Sequence, residues 1–179
     1  PDVMPDLVRR SALALRGLVH GPTGGVLAAA TTSLPEDPGG IRNWDYRYCW
    51  LRDAAISCEA LVLLGSNAEA IGLLDWTLGV LDRISAPERL APLYTVSGAE
   101  LGPEAELADL PGSMGPRPVR VGNGPANQRQ PDAFGPVVDP VWRLPAPGPP
   151  APLEPWQRAD QMAPAVETRR RGPDPGPGG

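Results

Sequence analysis

The sequence predicts an all-α fold, and three observations carry that reading. Residues 6–19 repeat apolar side chains at helical spacing, with Val8, Ala12, Leu15 and Val19 at i, i+4, i+7 and i+11. Residues 54–64 are apolar almost without interruption and stop at Gly65. Residues 66–84 open on a cap-like Ser66-Asn67-Ala68-Glu69 and place Ile71, Leu74, Leu78 and Leu81 on one face.

Taken in order, Asp6 is positioned to cap the first helix and Gly21-Pro22 to stop it. A short apolar run follows at 26–30. The stretch Thr31-Thr32-Ser33-Leu34-Pro35-Glu36-Asp37-Pro38-Gly39-Gly40 reads as a loop by its turn residues. Asp53 is expected to be the N-cap of the second helix, with Gly65 closing it in the left-handed conformation. A helix apolar on nearly every side is expected to be an inner one, covered by others. The third helix follows after a very short turn, so 53–84 forms an αα-hairpin.

Residues 85–126 are expected to be mostly loop, given seven prolines, with a strand-like Leu93-Tyr94-Thr95-Val96. Glu100, Glu104, Glu106 and Asp109 read as a solvated face. Arg117 and Arg120 are candidates for a polar mouth, and a helix is expected to start near Ala126. Pro131, Pro136 and Pro140 interrupt that helix, and the 145–179 segment has no hydrophobic period, so it is expected to be a disordered or non-native tail. Prolines of this density in GC-rich DNA fit a reading frame lost near 131–145.

The chemistry concentrates in residues 42–55, which hold two of the five Trp, two of the three Tyr, three Arg and two Asp. Flat apolar rings beside forked charges suit a sugar: rings stack on its C–H face, while Arg and Asp bond its hydroxyls. A buried aromatic cluster around a satisfied Arg–Asp pair explains the same composition, and composition alone leaves both readings open. Arg52 and Asp53 fall at the N-terminal mouth of the second helix, where the macrodipole favours a carboxylate.

Composition bounds the rest. The chain has 179 residues, room for about one domain. Its net charge of −5 argues against a nucleic-acid partner, and all sixteen basic residues are Arg. His20 is the lone histidine, so neither a multi-histidine metal site nor a histidine-based triad is available within the chain, and no cofactor or metal is expected. Cys49 and Cys58 lack metal-binding spacing and read as structural thiols in a reducing compartment. No signal peptide or membrane-length apolar run is visible, and a cytoplasmic location is expected.

The run Thr31-Thr32-Ser33-Leu34-Pro35-Glu36, followed by Gly40-Ile41-Arg42-Asn43-Trp44-Asp45-Tyr46-Arg47-Tyr48-Cys49-Trp50-Leu51-Arg52-Asp53-Ala54, resembles the signature of glycoside hydrolase family 15. This is the glucoamylase, glucodextranase and bacterial trehalase family. Leu93-Tyr94, the segment Arg117-Pro118-Val119-Arg120-Val121-Gly122-Asn123-Gly124, then Asn127-Gln128-Arg129-Gln130 and Asp132 recur there in the same order, so the resemblance covers residues 6 to 139. Ser97 and Pro131 depart from the family pattern.

The resemblance implies an (α/α)6 barrel, of which residues 1–144 would supply the N-terminal part. It also implies inverting hydrolysis of a terminal α-glucosidic bond by two carboxyl groups about 6.5–9.5 Å apart. Carried onto this chain, Arg52 and Asp53 bind the glucose hydroxyls, Trp50 walls the site and Tyr46 lies near the ring. The family's general acid follows a Trp, but here Trp142 precedes Arg143 and Trp156 precedes Gln157. No catalytic residue is therefore assigned. The expected partner is an α-glucoside or oligosaccharide. The competing reading is a non-catalytic sugar-binding or interaction fragment.

Overall fold

The computed structural model describes residues 3–86, 89–113, 115, 117–128, 130 and 135. Among them are three α-helices and three two-stranded antiparallel sheets. The helices meet the all-α expectation and the strands correct it.

The first helix, α1, spans Pro5–Gly17. Pro5 suits the first turn, where its missing N–H has no intrahelical partner to lose. Asp6 is not the cap: Met4 holds that place in the left-handed conformation, and Asp6 instead lies 3.2 Å from Arg9. The chain then turns, and Val26 bridges back to Val19.

The segment expected to be loop contains a strand. β1 (Thr32–Pro35) pairs with β2 (Asn43–Asp45), with Thr32 opposite Asp45 and Pro35 opposite Asn43. The turn-forming residues act only at its tip, residues 36–42, where the Gly40 N–H donates to the Asp37 carbonyl at 2.9 Å. A bulge interrupts the ladder at Ser33, whose φ of 58° is left-handed.

β3 (Cys49–Trp50) runs without a break into α2 (Leu51–Leu63). Trp50 occupies the cap position in extended conformation and makes no side-chain cap bond. Asp53 is therefore not the N-cap but the third residue of the first turn. It still lies at the positive end of the macrodipole. The far end closes as the sequence implies. Gly65 is left-handed at φ 76°, its N–H donates to the Val62 carbonyl at 3.0 Å, and the Ser66 N–H reaches the Leu61 carbonyl at 2.8 Å. This is a Schellman closure.

α3 spans Asn67–Arg83. The expected capping box does not form: Ser66 makes no side-chain cap bond, and Glu69 turns outward to lie 2.6 Å from Arg16. A tertiary ion pair between α3 and α1 replaces the local one.

α2 and α3 pack face to face as the expected hairpin. α2 buries Leu51, Ala54, Ala55, Cys58 and Leu61; α3 buries Ala70, Leu73, Trp76, Thr77 and Val80. The buried face of α3 is thus not the Ile71–Leu81 stripe, and Ile71 is 42% exposed. Trp76 sets the rotation, because its indole N–H donates to the Val96 carbonyl at 2.9 Å. α2 is covered on one side only among the described residues, with Ile56 64% and Leu63 80% exposed.

β4 (Leu93–Tyr94) pairs with β3, placing Cys49 opposite Tyr94 and Trp50 opposite Leu93. β5 (Ala105–Leu107) pairs with β6 (Val119–Val121). The helix expected from Ala126 begins only as a 3-10 turn, Gly124–Asn127, after which Gln128 is extended. Its continuation and the 145–179 segment lie outside the described residues. No helix among the described residues is long and apolar enough to cross a membrane.

One backbone approach constrains this arrangement. Gly24 has φ +80°, and a β-carbon there would meet the Gly72 carbonyl oxygen at 2.1 Å. The 21–25 turn lies against α3 with no room for a side chain. Gly24→Ala is expected to destabilise the chain by about 3 kcal/mol, combining the left-handed penalty with displacement of backbone. Urea denaturation against the parent checks this, and an unchanged midpoint would refute it.

Candidate functional site

The residues singled out from the sequence converge at the N-terminal end of α2. Trp50 is fixed from two sides: β3 pairs with β4, and the Leu51 N–H donates to the Pro92 carbonyl at 3.0 Å. Its ring lies 6.0 Å from that of Tyr46, tilted by 44°. Both rings are half-buried. Arg52 is exposed and Asp53 half-buried in the first turn.

The electrostatics bring these groups together. Burial pushes the Asp53 carboxyl above the ordinary carboxylate range, and the neighbouring Arg52 guanidinium offsets only part of that. Burial likewise raises the Tyr46 phenol. The negative charges of Glu36 and Asp53 push it further, and Arg42 opposes them. Glu36, Arg42 and Asp53 thus all act electrostatically on the Tyr46 phenol.

Asp45 holds this segment in place. Its side chain is fully buried. Its carboxylate accepts from the Arg47 backbone N–H at 3.2 Å, from Arg47 Nε at 2.9 Å and from the Arg47 terminal nitrogen at 2.8 Å. It also accepts from the Gly122 N–H at 3.3 Å, and the Asn123 amide donates to the Asp45 carbonyl at 3.1 Å. The Tyr48 hydroxyl takes a share of the same Gly122 N–H, at 3.2 Å. Burial pushes the Asp45 carboxyl up, but the Arg47 and Gly122 donors outweigh it and hold it below the ordinary carboxylate range. Beside it, Asn43 is fully buried with neither amide atom hydrogen-bonded.

Two expectations are corrected. The acidic group is not wholly a solvated face, because Arg120 lies 2.6 Å from Glu104 and 3.2 Å from Glu106. Of the two arginines proposed for a polar mouth, Arg120 stacks on the Trp44 ring at 5.1 Å, while Arg117 bonds the Ala108 carbonyl at 2.9 Å. Glu36, Arg42 and Trp44 belong to the signature run but were not among the four binding residues carried onto this chain. The alternation of Arg42, Trp44 and Tyr46 was the signal available for the last two. No group of three or more His, Cys, Asp or Glu side chains among the described residues is arranged to hold a metal ion.

Asp45→Asn keeps the shape and removes the charge that four donors share. It is expected to cost about 2 kcal/mol of unfolding free energy. The Asp45 pKa is depressed in the fold, so its stabilisation is complete above 3.8 and is lost as pH falls through the lower folded value. Asp53 acts in the opposite sense, gaining stability on acidification because its folded pKa is raised. Denaturant unfolding at several pH values is expected to show the acid-side loss in the parent and its reduction in Asp45→Asn. The same slope in both chains would refute the assignment.

The family described as glycosyl hydrolases family 15 matches residues 3–168, running past residue 139, where the resemblance read from the sequence ended. A trehalase of Sulfolobus acidocaldarius is 45% identical over 135 residues, covering 75% of this chain and 24% of the relative. A trehalase of Mycobacterium tuberculosis is 46% identical over 133 residues, 74% of this chain and 20% of the relative. A trehalase of Thermoplasma acidophilum is 39% identical over 168 residues, 94% of this chain and 28% of the relative. The chain thus spans 20–28% of the length of these relatives. A solved glycosidase structure superposes with a TM-score of 0.60 at 21% identity, covering 94% of this chain and 42% of the other, so the two share a fold. The matched span takes in both the aromatic-charged run and the helical hairpin that it opens, and on that ground the chain belongs to glycosyl hydrolases family 15.

Proposed function

We propose that this chain supplies the glucose-gripping mouth of a family 15 hydrolase acting on a terminal α-glucosidic bond, with inversion. Residues 1–144 would form the N-terminal part of an (α/α)6 barrel. The observation that carries the reading is the convergence of Arg52, Asp53, Trp50 and Tyr46 at one helix mouth. A guanidinium and a carboxylate on adjacent residues give donors and acceptors for vicinal hydroxyls, while the two rings offer apolar faces to the sugar C–H surface. The relatives named trehalases favour an α-linked glucose disaccharide as substrate.

The chemistry fits a binding role for these four residues rather than a proton-transfer role. Arg52 cannot lose its proton at working pH. Inverting hydrolysis needs an acid and a base facing each other across the bond, and none of the four residues is assigned either part. In this reading the acid–base pair is contributed from outside the described residues.

Titrating trehalose and maltose into the chain by calorimetry tests the reading. Arg52→Ala is expected to weaken binding at least about tenfold, the cost of a lost charge-assisted bond. Affinity is expected to fall on acidification at a pH above the ordinary Asp value of 3.8, because the bonding form of Asp53 is the carboxylate and its pKa is raised. Asp53→Asn should flatten that pH dependence. Equal affinity of parent and Arg52→Ala would remove the reading.

A further inference from the structure

The lone histidine, His20, lies in the turn against α3, and the direction of its hydrogen bonds is fixed by its neighbours. His20 Nδ1 is 2.8 Å from the Thr23 hydroxyl, and that hydroxyl donates to the Val96 carbonyl at 2.7 Å. A carbonyl only accepts, so the single hydroxyl proton is committed to it. Two lone pairs remain on the hydroxyl. One accepts from the Gly25 N–H at 3.4 Å, and the other faces His20. Nδ1 must therefore carry a proton, which fixes the neutral imidazole as its Nδ1–H tautomer. The Trp76 indole N–H fills the second lone pair of the Val96 carbonyl, at 2.9 Å. Every position on the hydroxyl and on the carbonyl is taken, so neither has an alternative partner to turn to.

We infer that His20 and Thr23 are positioning residues for the helix mouth, setting the spacing of the Tyr46 and Trp50 rings without touching a ligand. The inference rests on the reading of that mouth as a glucose grip. Two routes lead from the turn to the rings. Along the chain, the Ala28 N–H donates to the Tyr48 carbonyl at 2.9 Å and the Ala29 N–H to the Tyr46 carbonyl at 3.0 Å. Through Val96 the turn holds the segment that follows β4, where Leu93 lies opposite Trp50 and the Pro92 carbonyl accepts from the Leu51 N–H at 3.0 Å. The β3–β4 ladder has only two residues on each strand, too short to fix its own position. Its place depends on the anchor at Val96. The turn itself has no freedom to shift toward α3, because Gly24 already lies against the Gly72 backbone. One rigid turn thus determines where both rings stand, 6.0 Å apart and tilted by 44°. A ligand meets that spacing ready-made rather than ordering it on binding.

Nitrogen–proton correlation spectra of the neutral His20 ring test the relay without any sugar: the Nδ1–H tautomer is expected, and the Nε2–H tautomer overturns the inference. Calorimetry with trehalose then tests positioning, at a temperature where urea unfolding shows each variant folded. His20→Asn places an amide N–H where Nδ1 stands, and Thr23→Ser keeps the hydroxyl, so both are expected to bind as the parent does. His20→Gln moves the donor away and Thr23→Val removes the hydroxyl. Each is expected to weaken trehalose about fivefold. Parent-like binding in folded His20→Gln and Thr23→Val overturns the positioning role, as does equal loss in His20→Asn and His20→Gln. Weaker binding in Arg52→Ala supports the grip on which the inference stands. Unchanged binding there removes the grip, and the positioning role falls with it even where the tautomer is as assigned.

Discussion

A buried carboxylate organises the site without taking part in it. Asp45 is an ion removed from water, which costs several kcal/mol unless its lone pairs are met. Here they are met almost entirely, by two side-chain nitrogens of Arg47 and by the backbone N–H groups of Arg47 and Gly122. Because one donor, the Gly122 N–H, lies 77 residues from Asp45 in sequence, satisfying the charge ties β2 to the strand end at Gly122. The inward direction of Asp45 also settles where its neighbours point. On a strand the next residue faces the other way, so a locked Asp45 sends Trp44 and Tyr46 to the outer face.

At the helix mouth two electrostatic effects compete. The macrodipole favours a negative charge in the first turn, by an amount of order 0.3–1 kcal/mol. Burial disfavours that charge, and for Asp53 burial wins, since its carboxyl is raised even beside Arg52. A carboxylate kept short of full solvation is a stronger acceptor for a ligand hydroxyl than one already hydrated. The half-burial of Asp53 is thus compatible with a ligand-facing role, whereas the complete burial and saturation of Asp45 restricts it to structure.

The helices show what the described residues do not cover. Leu7 and Leu13 on α1, and Ile56 and Leu63 on α2, are more than half exposed. A helix as apolar as α2 is normally buried on more than one side. In an (α/α)6 barrel those faces would meet further helices, and the curated relatives are several times longer than this chain.

Local rules written in the sequence determined much of this chain: the α2–α3 hairpin, the left-handed closure at Gly65 and the family signature from Thr31 to Ala54. These rest on near-neighbour physics, namely periodicity, a glycine that tolerates positive φ, and a contiguous motif. Tertiary structure decided the rest. Ser66 and Glu69 form no capping box because Arg16, fifty-three residues upstream of Glu69, is a better partner for the carboxylate. α3 buries Trp76 rather than the Ile71 stripe because the indole N–H needs the distant Val96 carbonyl. Asp53 is not the helix cap because the pairing of Trp50 with Leu93 starts the helix three residues earlier. The strand at 32–35 was hidden by its own turn residues, since pairing with Asn43–Asp45 depends on what lies across the hairpin and not on local propensity. Each of these outcomes turns on a partner distant in the chain, and no local rule contains that partner.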